Sequence, residues 1–324
     1  MRLHRRQFLH VAAGIGTLPA VSHIANAQTY PSRPVRLIVG FTPGAASDII
    51  GRVFAKGAGP ILGQEVVVEN KPGAGSSIAA AYVARAAKDG YTLFLATVSI
   101  ITNQLINPNK NIDVMKDFAS VALLDAGPLI LVVNPTSEVH SVAELIALAK
   151  SKPGEVLSAT VIGSLPHFAT ELFAQRAGIK LTQVPYPGSP QTVTDVIAGR
   201  ALMTFAPASS VIGQIAGGKL RALATAANKR CSALPEVPTI AETGMPDFDT
   251  SLWFGLFAPS GTPRRVVDKL ADTALKAMHS PEAIETLRKQ GYEPLDAGPD
   301  EFAVFMRSEI VRWTEVAHLA GLGT

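Results

Sequence analysis

One cysteine, Cys231, is all that this 324-residue chain contains. An intrachain disulfide and a cysteine-rich metal site are therefore both excluded. Histidine is also sparse: beyond residue 27 only His140, His167, His279 and His318 occur, with no pair at metal-ligand spacing. Charge is missing too. The formal net charge is +3, and Arg2, Arg5 and Arg6 account for all of it, because residues 1–27 carry no acid. Residues 28–324 are neutral overall, without the basic field that nucleic acid or an anionic membrane surface requires. No segment beyond residue 27 is long and apolar enough to span a bilayer. Repeats, low-complexity tracts and charge runs are absent.

Signatures of catalysis are equally thin. Gly44-Ala45-Ala46-Ser47-Asp48 lacks the G-x-S-x-G spacing of a nucleophile elbow. Gly73-Ala74-Gly75-Ser76-Ser77-Ile78 lacks the third glycine of a dinucleotide loop, and no phosphate-binding lysine comes after it. The carboxylates show no acid/base pairing. No catalytic residue, metal or cofactor is assigned, and an enzyme on this scaffold is the lesser alternative.

What is present is an apolar chain of ordinary charge, 47% hydrophobic and 17% charged, which suits a packed globular core rather than disorder. The first 27 residues read as a cleaved export leader. Arg5-Arg6 precedes Phe8-Leu9, a glycine-broken apolar stretch comes next, and Ala25-Asn26-Ala27 supplies the small-x-small site. The paired arginines resemble a Tat signal. Cleavage after Ala27 places a soluble mature chain, starting at Gln28, in the bacterial periplasm.

Short apolar runs then alternate with helical patterns. Strands are predicted at 35–39, 65–68, 92–96, 129–133, 156–159, 182–184, 203–205, 221–224 and 253–258. Helix starts are marked by Ser141-Val142-Ala143-Glu144, a capping box, and by Thr262-Pro263 and Ser280-Pro281. Alternating βαβ units imply an α/β fold with mostly parallel sheets flanked by helices. Two lobes suit the length better than one sheet. Crossings are expected at 129–135 and 248–253, giving a first lobe of 28–128 and 251–324 and a second lobe of 129–250.

Four loops join a strand to a helix and carry small polar residues. The first holds Phe41, Gly44, Ala45, Ser47 and Asp48; the apolar run 35–39 stops at Gly40 and delivers free N–H groups at a helix mouth, a ready anion site. The second holds Thr97 and Ser99, whose hydroxyls can donate to a carboxylate or cap a helix. The third holds Gly163, Ser164 and His167 at another helix start, where Gly163 and Ser164 are expected to leave N–H groups free as a second anion cradle. Tyr186 lies in the fourth. Ser209, after the strand 203–205, and Trp253, at the second crossing, are the remaining candidates for a pocket wall. As an aromatic residue, Trp253 is more often core.

The opening Tyr30-Pro31-Ser32-Arg33-Pro34-Val35-Arg36-Leu37-Ile38-Val39 and the pattern Phe41-x-Pro43-Gly44-x-x-x-Asp48 are similar to the Bug family. So are Val67-Val68-Glu69-Asn70-Lys71-Pro72-Gly73-Ala74-Gly75, Lys88-Asp89-Gly90-Tyr91-Thr92-Leu93, Val184-Pro185-Tyr186, Asp195-Val196-Ile197-Ala198-Gly199 and Leu234-Pro235-Glu236-Val237-Pro238-Thr239. These are the extracytoplasmic solute receptors of tripartite tricarboxylate transporters. The resemblance implies a type II periplasmic-binding fold with the ligand in a cleft between two α/β lobes. It implies a small organic carboxylate as ligand, transporter subunits or a sensor kinase as membrane partner, and a monomer. Phe41, Gly44, Ala45 and Asp48 would form the first-lobe cradle, with Asp48 fixing the loop rather than touching an anion. Thr97 and Ser99 occupy the second loop, facing Gly163, Ser164 and His167. Two departures stand out. Thr42-Pro43-Gly44-Ala45 replaces the usual Pro-Pro-Gly-Gly, and Val98 and Ile100 stand where polar loop residues are common. The second departure points to a more apolar pocket and favours an aromatic or longer aliphatic acid over a citrate-like one.

Overall fold

The computed structural model describes residues 30–107, 112–319 and 321–322. The leader at 1–27 lies outside them. Eleven strands are present among the described residues: β1 (Val35–Val39), β2 (Val66–Asn70), β3 (Thr92–Thr97), β4 (Phe118–Gly127), β5 (Leu129–Val133), β6 (Leu157–Thr160), β7 (Thr182–Pro185), β8 (Met203–Pro207), β9 (Arg221–Thr225), β10 (Leu252–Pro259) and β11 (Glu293–Ala297). They form a six-stranded sheet of order β11-β4-β10-β3-β1-β2 and a five-stranded sheet of order β7-β6-β8-β5-β9. Strands β3, β5, β8 and β10 are buried along their whole length. Helices cover both faces of such strands, which is why they read as continuous apolar runs rather than alternating ones.

The sheets are mixed rather than mostly parallel. Within each βαβ run the pairing is parallel, β1 with β2 and β3, and β6 with β7 and β8. Strands that arrive from the other sheet enter from the opposite end and pair antiparallel, β10 with β3 and β4, and β5 with β8 and β9. The chain leaves the six-stranded sheet through Pro128, between β4 and β5, and returns to it at β10. Strand β5, expected as part of the crossing, lies inside the second sheet between β8 and β9.

Two helix starts differ in detail from expectation. Ser141 Oγ accepts from the Glu144 N–H at 3.2 Å, but the Glu144 carboxylate reaches back to the His140 N–H rather than to that of Ser141. Thr262 caps nothing; its hydroxyl donates to the Pro259 carbonyl, and Pro263 itself precedes the helix Arg264–Met278. Ser280 does cap its helix, accepting from the Ala283 N–H.

The last helix, Pro299–Leu319, buries Phe302, Met306, Glu309, Trp313 and Ala317 along one face. Phe302 packs on Phe257 at 4.8 Å between ring centroids and on Trp253 at 6.1 Å. The indole N–H groups of Trp253 and Trp313 both donate to Glu309 Oε2 at 2.8 Å, so this buried acid is satisfied. Trp313 also meets Phe168 of the helix Leu165–Ala177, which belongs to the second sheet's layer. The helix thus packs on the first sheet and touches the other half of the molecule.

Candidate functional site

Five helices begin at one place. Those starting at Ala46, Ser99, Leu165, Ser189 and Ala208 each follow a strand, β1, β3, β6, β7 or β8. Their first turns or the preceding residues wall a small interior cavity of about 30 Å³ between the two sheets. Ala45, Ala46, Ser47, Thr97 and Ser99 contribute from one side, and Ser164, Pro166, Ser189 and Pro207 from the other. The first N–H groups of a helix have no acceptor within it, and the aligned peptide dipoles make that end positive. Among the described residues no charged side chain lines the cavity. Such a place suits an anion without a counter-ion.

The β1 loop is held from behind. Gly44 sits at φ +79°, a left-handed conformation that favours glycine. Its N–H donates to Asp48 Oδ2 at 3.0 Å. The same carboxylate accepts two bonds from Arg52, at 3.0 Å each, and one from Asn70 Nδ2 at 3.1 Å; Asn70 also donates to the Phe41 carbonyl. Burial pushes the Asp48 carboxyl up, but Arg52, the Gly44 N–H and Asn70 outweigh it and hold the group below the usual carboxylate range. Asp48 is off the cavity wall and is occupied by the loop.

The second-sheet side closes on the first. Ser99 Oγ accepts from the Leu165 N–H at 3.3 Å, taking a donor at the start of the helix Leu165–Ala177. Thr102 Oγ1 donates to the Gly163 carbonyl at 3.2 Å. The Ser164 N–H, expected to be free, donates to the Val161 carbonyl, and the Ser164 hydroxyl does the same at 2.6 Å. The exposed-donor reading therefore fits the helices starting at Ala46 and Ser189 better than the one at Leu165.

Six of the thirteen sequence candidates wall the cavity: Phe41, Ala45, Ser47, Thr97, Ser99 and Ser164. Gly44 and Asp48 support them from behind. Gly163 and Tyr186 line a second, outer chamber, and the Tyr186 hydroxyl is engaged by Asp195. Three candidates lie elsewhere. His167 is buried beside Phe168, its Nδ1 without a partner among the described residues, and burial lowers its pKa against an opposing contribution from Glu171. Ser209 meets the Tyr292 hydroxyl at 3.2 Å behind the cavity. Trp253 faces the last helix, because alternate residues of a strand point to opposite faces. Its neighbours Leu252 and Phe254 line the cavity instead.

Neither Val98 nor Ile100 supplies the apolar wall expected of them. Val98 is fully buried, and Ile100 faces a separate surface pocket with Ile78 and Ile112. The cavity's apolar surface comes from Phe41, Val161, Leu252 and Phe254. Among the described residues no group of three His, Cys, Asp or Glu is placed to hold a metal ion, and no helix is long and apolar enough to cross a membrane.

Residues 50–322 match the family model described as Tripartite tricarboxylate transporter family receptor. Protein BugT of Bordetella pertussis is 38% identical over 315 residues, spanning 95% of this chain and 97% of that protein. The structure of R. palustris Rpa4515 with adipate matches at a TM-score of 0.88 and 35% identity, over 91% of this chain and 99% of the other. MatC (Rpa3494) from Rhodopseudomonas palustris with bound malate matches at a TM-score of 0.85 and 29% identity, over 89% and 99%. With the two mixed sheets, the helix-start cavity between them and these matches, the chain belongs to the tripartite tricarboxylate transporter receptor family.

Proposed function

We propose that this protein is a periplasmic solute receptor that captures a small organic carboxylate between its lobes and hands it to the membrane subunits of a tripartite transporter. The observation that carries the reading is the convergence of five helix starts on a cavity without a charged side chain among the described residues. Fixed N–H groups and hydroxyls stabilise an anion there at low reorganisation cost, and closure strengthens each bond by excluding water. Two relatives are described with carboxylates, adipate for Rpa4515 and malate for MatC. Among the described residues the cavity wall is built of small, hydroxyl and apolar side chains, and the proposed role is to bind the acid and release it unchanged. Phe41, Ala45, Ser47, Thr97, Ser164 and Ser189 are the ligand-facing residues, Ser99 lines the cavity while its hydroxyl holds the Leu165 N–H, and Gly44 and Asp48 hold the β1 loop. Residues 1–27 direct export and are removed after Ala27; the mass of the protein recovered from periplasm tests this, with a chain starting at Gln28 expected.

Isothermal titration of the purified protein with a panel of mono-, di- and tricarboxylates tests the function. Saturable 1:1 binding of at least one acid, recovered chemically unchanged, is the expected result. Conversion of the acid on incubation would replace the receptor by an enzyme. Loss of uptake of that acid in a deletion strain checks the transport role.

A further inference from the structure

The interior cavity does not stand alone. Phe41 and Val161 wall it and also wall an outer chamber of about 570 Å³ between the loop after β2 and the turn after β7. The inner space holds little more than one carboxylate, so the rest of any bound acid projects past Phe41 and Val161 into the chamber. The chamber's walls are mainly apolar: Ile106, Ile162, Pro185 and Pro187 face it beside the two threshold residues, with Ser76, Asn103, Asn107 and Tyr186 as its polar side chains. As in the cavity, no Lys, Arg, His, Asp or Glu among the described residues lines it. Of these four polar side chains, Asn103 and Tyr186 are engaged elsewhere. Asn103 donates to the Ala74 carbonyl at 2.9 Å and accepts from Ser77, while the Tyr186 hydroxyl bonds to Asp195.

Resting on the receptor reading above, we infer that the preferred ligand is a monocarboxylic acid with an extended apolar tail, aliphatic or aromatic, whose carboxylate enters the inner cavity and whose tail fills the outer chamber. A second carboxylate in that chamber would give up water without meeting a cationic side chain, which disfavours it. A methylene placed there leaves water for an apolar wall and strengthens binding by about fourfold. Selectivity thus arises in the chamber, while the inner cavity recognises the carboxylate common to all candidates.

The test is a calorimetric series of butyrate, hexanoate, octanoate and phenylacetate against succinate, adipate and citrate. Affinity is expected to rise by about fourfold per added methylene until the chamber is filled, and hexanoate is expected to bind more tightly than adipate. Ile162 is 46% exposed on the chamber wall, so Ile162→Lys should fold normally. The new ammonium should shift the hexanoate-to-adipate preference toward adipate by about fivefold. Adipate, succinate or citrate binding the unaltered protein more tightly than the monoacids overturns the inference and leaves the receptor reading standing. A flat response to chain length, or an unchanged preference in Ile162→Lys, overturns it likewise. Failure of every acid in the series to bind overturns the receptor reading as well.

Discussion

Asp48 and Asp125 are both buried acids of the six-stranded half, and their surroundings treat them in opposite ways. Asp48 has the Gly44 N–H, Arg52 and Asn70 around it. Asp125 lies on β4 with neither carboxylate oxygen bonded among the described residues. It shares a row with Thr97, Phe254 and Pro294, on the sheet face that walls the cavity, and stands near the buried Tyr292. Burial pushes its carboxyl well above the usual range. The pH consequences have opposite signs. For Asp48 the folded value is depressed, so its stabilisation is present above the ordinary carboxylate range and is lost as pH falls through the folded value. For Asp125 the folded value is raised, so the cost is absent below the unfolded value and grows as pH rises above it. Asp48→Ala should destabilise by about 2 kcal/mol at neutral pH, with the loss shrinking in acid. Asp125→Asn should gain on the unaltered protein as pH rises from about 4 to about 8. Urea melts of the three proteins at both pH values check the pair. A pH-independent difference for Asp125→Asn would mean that the carboxyl is ionised in the fold.

At the scale of elements, legibility depends on whether a strand is buried on both faces. Strands β1, β3 and β5 announce themselves as apolar runs of Val, Leu, Ile or Phe, and β8 and β10 as apolar segments ending in proline. Strand β11 reads Glu-Pro-Leu-Asp-Ala, an edge strand with two exposed residues, and offers no periodic signal. The loops that form the cavity are recognisable because each stops an apolar run with small residues ahead of a helix, and Phe41, Ser47, Thr97 and Ser164 come from that rule alone. Ser189 and Pro207 obey the same rule, within a turn of the candidates Tyr186 and Ser209. Trp253 illustrates the limit: Leu252, Trp253 and Phe254 are equally apolar, and only the pleat decides that the first and third face the cavity. Val98 and Ile100 fail for the same reason on a helix, where their direction depends on how the helix Ser99–Ile106 packs. At this scale Ser99→Ala is informative. It removes the acceptor of the Leu165 N–H and leaves that donor unpaired in the unliganded form. A carboxylate that takes over the donor gains relative to the unaltered protein, so ligand affinity should rise, by up to about fivefold, while unliganded stability falls by about 1 kcal/mol. Titration calorimetry and thermal melts without ligand read the two effects separately. Falling affinity would show that the hydroxyl itself contacts the acid.

At the scale of the whole molecule, the approach of the β1 loop to the turn before the helix Ser189–Ile197 bears on closure. Gly188, just before the helix Ser189–Ile197, approaches Thr42 of the β1 loop so closely that a Cβ there would lie 2.2 Å from Thr42 Oγ1 and 3.3 Å from Thr42 Cβ. The backbone at Gly188 is extended, with φ −171°, which any residue adopts. A side chain at this position meets Thr42 across the cleft and, on its own side, only the flexible end of Gln191, whose Oε1 would lie 3.2 Å from the Cβ, so Gly188→Ala acts chiefly as a wedge between the lobes. Closure that would otherwise complete the cavity must then stop short or displace Thr42. Affinity for the cognate acid should drop by about tenfold, or about 1.4 kcal/mol, with the unliganded melting temperature little changed. Thr42 Oγ1 is buried without a partner among the described residues, so removing it costs nothing in hydrogen bonding. Thr42→Ala combined with Gly188→Ala should accordingly restore most of the lost affinity, a coupling that independent sites would not show. Small-angle scattering supplies the structural readout: with saturating ligand, Gly188→Ala should retain a larger radius of gyration than the unaltered protein, and the double variant should return to the compact value. Equal radii in all three would mean that the cleft tolerates the added methyl, and that binding does not depend on bringing the Thr42 and Gly188 loops together.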